Sequence, residues 1–279
     1  MPEPEQHEIP FKEKRFSRIP RIRRGIFLVP AMLTSANLLC GYYAVVAALV
    51  GSSPAGSSDD FDRAAKAIGL AILFDSVDGR IARLLGANTD FGVQFDSLAD
   101  VVSFGVAPAV VAYAWGVRSL ANSGTEHGQL LGDMGWVCCL LFLVCCAWRL
   151  ARFNVQGMAS GGSKYFVGMP TPAAAGVIAA LVHGFKYPIH DWRWSVAWLL
   201  LAAGLGALMT STIRYYSFKD LPWTRKMPSL SIVLALILIA VILRFSEYAL
   251  VILACTYAAV GVALHLVRFI RHRMISRTA

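Results

Sequence analysis

The run DSVDGRIARLLGANTDFGVQFDSLAD, residues 75–100, sets Asp75, Asp78, Asp96 and Asp100 inside otherwise apolar stretches, with Gly79, Gly92 and Arg83 beside them. A carboxylate in hydrocarbon is expensive and is kept for work on an ion, a proton or a substrate. Asp75 and Asp78 stand three apart and Asp96 and Asp100 four apart, so each pair lies along one helix face. The six residues from Leu85 to Asp90 suffice to turn the chain back and let the two faces meet. Four clustered acids that stay ionised need a counter-charge, and a divalent cation, Mg²⁺ or Mn²⁺, supplies it. Gly79 and Gly92 permit close backbone approach or leave room for a ligand. Arg83, one turn beyond Gly79, can send a planar fork of donors suited to phosphate into the same cavity. Such a set makes a diphosphate site, in which one unliganded carboxylate takes a proton. From these residues alone three readings stand: metal-dependent phosphoryl chemistry, a cation or proton relay in a transporter, and a structural acid–arginine network. Asp90 reads as a loop residue or as the start cap of the helix that follows.

The elements that must carry these residues are membrane spans. Hydrophobic residues make up 57% of the 279 and charged residues 15%, with a mean hydropathy of +0.57. Apolar stretches recur at spanning length, predicting an all-α polytopic bundle of eight spans near 28–51, 62–85, 92–116, 134–154, 169–186, 194–213, 229–244 and 247–268. No cleavable signal peptide is expected ahead of the first span. With a cytoplasmic amino terminus and alternating spans, the far side keeps only Arg63, Lys66, Arg118, Lys186, Arg193 and Arg244 of the 26 basic residues. This positive-inside bias also puts the carboxyl terminus in the cytoplasm. At about 1.5 Å per residue, Asp78 and Asp96 lie roughly 10 Å in from the cytoplasmic end, and Asp75 and Asp100 roughly 15 Å. The acid pairs therefore sit at matched depth on antiparallel neighbours.

Other features are quieter. The net charge of +9 lies at span ends and forms no continuous face, which argues against nucleic-acid binding. Residues 1–27 end in the basic stretch KEKRFSRIPRIRRG, fit to lie among anionic headgroups of the inner leaflet, although Pro20 interrupts any long helix. All six cysteines fall in apolar stretches, and Cys138/Cys145 and Cys139/Cys146 recur at seven, as small packing residues at a helix contact do. Segments 51–60 and 119–133 read as outer loops. His127, His183, His190 and His265 are scattered and carry no expected chemistry.

The run Asp75-x-x-Asp78-Gly79-x-x-Ala82-Arg83, eight residues, Gly92-x-x-x-Asp96-x-x-x-Asp100 resembles the complete signature of the CDP-alcohol phosphotransferase family, all eight fixed positions included. The resemblance implies a core of six transmembrane helices, here with two further spans. It implies that Asp75, Asp78 and Asp96 hold the divalent metals with the CDP diphosphate, and that Gly79, Ala82, Arg83 and Gly92 shape the nucleotide–diphosphate region. Asp100 is the implied base for the acceptor hydroxyl and closes the acidic metal cluster.

Four further pieces, LTSANLLCG (33–41), SFGVAPA (103–109), WRLARFN (148–154) and GMPTPAAA (168–175), resemble the serine-accepting bacterial branch of that family. That implies CDP-diacylglycerol and L-serine as substrates, phosphatidylserine and CMP as products, and a multi-pass protein of the bacterial cytoplasmic membrane with its site on the cytoplasmic side. Thr34 and Asn37 share one face of the first span, and resemble positions lining a cytidine pocket; the alternative is plain helix–helix hydrogen bonding. Ser103, Gly105 and Pro108 loosen the third span, shaping an acceptor pocket or making a packing kink. Arg149 and Arg152 sit one turn apart. Either snorkels to the headgroups or reads the serine carboxylate, with Arg152 favoured because Asn154 follows closely as a partner. Thr171, between two prolines, suits an amine or hydroxyl. The expected organisation is a basic juxtamembrane segment (1–27), a catalytic core (28–213), a helix pair (214–268) and a basic tail (269–279). Other acceptors (glycerol 3-phosphate, inositol phosphate, choline) and a cation-coupled transporter are the rival readings, and a homodimer is left open.

Overall fold

Lipid solvation and alanine packing together explain the helices. In the computed structural model, which describes residues 21–86, 89–157, 165–216 and 246–258, the first element is α1 (Arg21–Gly51). Its Leu28, Met32, Leu39, Tyr42, Val46 and Val50 are exposed, while Ala44, Ala47 and Ala48 are buried. One stripe thus faces lipid and a small-residue stripe lets the neighbouring backbone come close. That neighbour is α2 (Ser58–Leu84), whose Ala64, Ala65, Ala67, Ile68 and Ala71 are buried. The α2 start is capped by exchange: the Ser57 backbone N–H donates to Asp60 Oδ2 at 2.9 Å, and the Ser57 hydroxyl donates to it as well. These bonds hold the half-buried Asp60 carboxyl below the usual carboxylate range.

Next in the chain is α3 (Asp90–Asp100), which runs through a π-helical stretch, Val101–Val106, into α4 (Ala107–Gly116). The Ala107 N–H reaches back five residues to the Val102 carbonyl, the signature of the wider turn. The cap of α3 is Thr89, whose hydroxyl accepts from the Gly92 N–H at 2.9 Å, so Asp90 is the first helical residue and not the cap. One turn of helix, α5 (Arg118–Ala121), and then α6 (Glu126–Gly157) follow. The region expected as an outer loop over 119–133 is therefore mostly helical. Next come β1 (Tyr165–Val167), α7 (Thr171–Phe185), α8 (Trp192–Thr210) and β2 (Arg214–Tyr216). A further helix, α9, covers Ser246–Ala258.

The chain is an all-α polytopic membrane protein. Among the described residues four segments are long and apolar enough to cross a bilayer: Leu28–Gly51, Asp90–Gly116, Glu126–Val155 and Trp192–Thr210. The α2 helix is long enough, at 27 residues, but its Asp, Arg and Lys residues lower its hydropathy. The seventh expected span (229–244), the tail (269–279) and most of the 1–27 segment lie outside the described residues. The expectation of helix alone missed β1 and β2, which pair antiparallel with Phe166 opposite Tyr215. Beside this ribbon Gly168 has φ +83°, and a Cβ there would stand 2.3 Å from the Met209 carbonyl oxygen, so glycine is required. The ribbon and the adjoining Met169 N–H to Leu208 carbonyl bond (3.0 Å) tie the start of α7 to the end of α8.

At the other end of the bundle α8 is fastened to α4. Trp198 Nε1 donates to the Ala112 carbonyl at 2.9 Å and Ser195 Oγ to the Gly116 carbonyl at 2.6 Å. The core between these helices joins Phe104, Phe142, Ile178 and Met209 to many alanines, with buried Cys139 and Cys146 among them. All six cysteines are free thiols.

Candidate active site

Helices α2 and α3 bring the acids together. One carboxylate oxygen from each of Asp75, Asp78 and Asp96 lies within 4.8 Å of the others. Oxygens on opposite sides of a divalent ion at about 2.1–2.4 Å are separated by about 4.2–4.8 Å, so one ion can touch all three. Asp78 is buried and Asp75 and Asp96 are half-buried. Asp96 Oδ1 is enclosed and has no hydrogen-bond partner. A hard, oxygen-only, partly orphaned donor set of this kind fits Mg²⁺ or Mn²⁺.

Asp100 stands apart from that trio. Asn37 Nδ2 of α1 donates to Asp100 Oδ1 at 3.1 Å, and both residues are buried. Thr34, one turn earlier on α1, points its hydroxyl between Asp78 Oδ2 (3.2 Å) and the Pro30 carbonyl (3.1 Å). Both side chains thus face inward, and here they make helix–helix hydrogen bonds to the acids. The π-helical stretch sets this up. Ser103 Oγ donates to the Asn37 carbonyl at 2.9 Å, and Gly41 lies so close that a Cβ would be 2.4 Å from Ser103 Oγ. The third span is therefore loosened by a wide turn at Ser103 and Gly105, with Pro108 at the start of α4.

The glycines of the run resolve in favour of space. A Cβ on Gly79 would meet nothing within 4 Å, and one on Gly92 would meet only the Thr89 hydroxyl. Arg83 departs from expectation. Its Nε donates to the Gly79 carbonyl at 2.8 Å on the exposed side of its own helix, so the guanidinium is not sent into the acid cluster. A four-residue reach along a helix satisfies one donor locally, which is why the side chain folds back. Ala82 is half-buried beside it.

On α6 the two arginines part company. Arg152 Nη1 extends toward the Thr210 carbonyl at 3.4 Å, and Asn154 donates to Ser97 Oγ at 2.9 Å, one residue from Asp96. The expected Arg152–Asn154 partnership is thereby corrected: two residues along a helix point to different sides. Arg149 instead turns inward. It lies in the electrostatic reach of Asp100 and Cys146, and its Nε is enclosed without a partner. Thr171 is buried at the start of α7.

Among the described residues the enclosed side-chain polar atoms lacking a partner are Asn37 Oδ1, Asp96 Oδ1 and Arg149 Nε. All three belong to this one site. Buried polar atoms are normally paired, so a cluster of unpaired ones marks where a ligand completes the set. Two residues with long-range partners were missed from sequence: Ser97, which joins Asn154 to the α3 helix, and His183, which links Asp62 of α2 to Ser246 of α9. Ser97 could have been found by its place one residue after Asp96; nothing near His183 in sequence signals its partners.

The profile of the CDP-alcohol phosphatidyltransferase family matches residues 27–209. A Helicobacter pylori protein named CDP-diacylglycerol–serine O-phosphatidyltransferase is 34% identical over 203 residues, covering 72% of this chain and 77% of its own. The Mycobacterium leprae protein of that name is 36% identical over 202 residues, 70% of this chain and 60% of its own. The one from Saccharomyces cerevisiae is 37% identical over 164 residues, 57% of this chain and 53% of its own.

Proposed function

We propose that this chain, which belongs to the CDP-alcohol phosphatidyltransferase family, moves a phosphatidyl group from CDP-diacylglycerol to the hydroxyl of L-serine. Phosphatidylserine and CMP are the products. The observation that carries this reading is the meeting of Asp75, Asp78 and Asp96 within 4.8 Å, together with the enclosed unpaired atoms of Asn37, Asp96 and Arg149. The names of the related proteins support serine as acceptor.

Asp75, Asp78 and Asp96 would hold the divalent cation, Mg²⁺ or Mn²⁺. Bound there, it would neutralise and polarise the oxygens of the diphosphate. The open space over Gly79 receives the nucleotide–diphosphate, with Ala82, Gly92 and Thr34 around it. Arg83, once released from the Gly79 carbonyl, pairs with phosphate. Asn37 holds Asp100 through Oδ1, leaving the second carboxylate oxygen to take the serine hydroxyl proton. The serine oxygen attacks the phosphorus joined to diacylglycerol, and the bond from that phosphorus to the CMP oxygen breaks. No serine or cysteine nucleophile of the chain is needed, so the displacement is direct. Arg149, whose Nε is enclosed without a partner, pairs with the serine carboxylate, and Arg152, Asn154 and Thr171 are the further candidates for contact with serine. Positioning and preorganised charge carry most of the rate.

In this reading residues 28–213 form a six-helix catalytic core and 214–268 add two spans, in a bacterial cytoplasmic membrane. Both termini and the site face the cytoplasm, and the basic ends 1–27 and 269–279 lie against anionic lipid. The test is to give purified protein CDP-diacylglycerol with labelled serine, glycerol 3-phosphate, inositol phosphate or choline, with and without Mg²⁺ or Mn²⁺. CMP release and a labelled lipid with serine alone are expected. Turnover with another acceptor and none with serine refutes the assignment.

A further inference from the structure

Helix α1 supplies none of the three converging acids, yet it touches one of them. Thr34 Oγ1 donates to Asp78 Oδ2 at 3.2 Å and lies 3.1 Å from the Pro30 carbonyl oxygen, one turn back on its own helix. Among the described residues Thr34 is the side-chain donor that reaches the group of Asp75, Asp78 and Asp96. Thr34 is 5% and Asp78 3% exposed, so bulk water cannot take over from a lost hydroxyl. The buried alanines of α1 and α2 bring the two helices together.

A carboxylate at the end of a side chain can turn, and a cation held by three of them needs each one aimed. Ligating carboxylates are therefore themselves hydrogen-bonded. Thr34 is suited to aim Asp78. Its β-branch leaves few rotamers in a helix, and the bond to the carbonyl four residues back selects among those that remain. The hydroxyl is thus placed before it meets the carboxylate. It has one hydrogen for two acceptors, and an ionised Asp78 draws it more strongly than the neutral Pro30 carbonyl does. Engaging Oδ2 fixes the orientation in which an Asp78 oxygen comes within 4.8 Å of oxygens of Asp75 and Asp96.

We propose that Thr34 is a positioning residue for the divalent cation, one that sets the affinity of the site by holding Asp78. The inference rests on the reading of Asp75, Asp78 and Asp96 as cation ligands. It gives Thr34 a task apart from lining the nucleotide pocket, and it makes α1 part of the metal site.

The experiment titrates the purified full chain with Mn²⁺, without nucleotide or serine, and counts the free ion by electron paramagnetic resonance. Wild type, Thr34→Val and Thr34→Ser are compared. Valine keeps the branch and removes the hydroxyl, whereas serine keeps the hydroxyl and removes the methyl group. The Kd for Mn²⁺ should rise about ten-fold or more in Thr34→Val, the usual loss for a side chain that orients a metal ligand. In Thr34→Ser it should stay within about two-fold of wild type, because the orienting bond survives. Lost packing lowers Tm without changing the Kd of the folded chain, and a role confined to the nucleotide pocket leaves the Kd unchanged when no nucleotide is present. An unmoved Kd in Thr34→Val, or an equal rise in both variants, overturns the inference. Should Thr34→Val fail to accumulate, Thr34→Ala is measured by the same criteria. A wild-type chain that binds no Mn²⁺ refutes instead the three acids as a cation site.

Discussion

Asp78 and Asp100 differ in the company they keep, and on the proposed reading they have separate tasks. Asp78 joins the trio whose oxygens converge and accepts from Thr34, whereas Asp100 is outside the trio and held by Asn37. Asp100→Asn should therefore retain Mg²⁺-dependent binding of CDP-diacylglycerol while losing on the order of 10²–10⁴ in rate, the usual contribution of a general base. Asp78→Asn should lose binding and rate together. Parallel titrations of nucleotide–lipid binding decide it; if both variants lose binding equally, Asp100 acts as a metal ligand. Gly79 offers a sharper contrast, since a Cβ there meets no protein atom within 4 Å. Gly79→Ala should leave stability within about 0.5 kcal/mol, as for a substitution free of steric conflict, and still weaken CDP-diacylglycerol binding by occupying ligand space. A loss of thermal stability with unchanged binding would show that Gly79 serves packing.

At the scale of elements, the contact between α1 and the π-helical stretch determines where Asn37 meets Asp100. Gly41 is the residue on which it depends, because a Cβ would fall 2.4 Å from Ser103 Oγ and 2.7 Å from Ser103 Cα, which is backbone and cannot step aside. Gly41→Ala should force the helices apart at a cost of about 1–3 kcal/mol, the range for overpacking, read as a lowered Tm with a parallel loss of rate. An unchanged Tm would refute the close approach. The helices themselves were largely legible, since apolar runs of spanning length and paired acids three and four apart are local properties. Their ends were less so. Glu126 rather than residue 134 begins α6, because polar residues at a membrane surface extend a helix without adding hydropathy. The β1–β2 ribbon was invisible, as strands of three residues carry no readable period.

For the whole molecule, a divalent cation held by the acid cluster would tie folding to metal as well as to turnover. EDTA should abolish CMP release and Mg²⁺ or Mn²⁺ should restore it. Independently of activity, saturating Mg²⁺ should raise Tm through preferential binding to the folded state; at 100-fold over Kd the gain is about 2.7 kcal/mol. That rise should vanish in Asp96→Asn. Full activity in metal-free buffer, or an equal Tm rise in the variant, would refute the trio as ligands.

The sequence by itself determined the bundle of apolar helices, the depth match of the two acid pairs and the family signature. All of these follow from residue type and spacing along single helices, where geometry repeats every 3.6 residues. Only the tertiary structure decided which of two neighbouring arginines turns inward, that Arg83 folds back on Gly79, and that Asn154 serves Ser97 rather than Arg152. It alone joined Asp62, His183 and Ser246, which lie far apart in the chain. Side-chain direction depends on which partner a neighbouring helix presents, and packing between distant segments leaves no mark on local spacing.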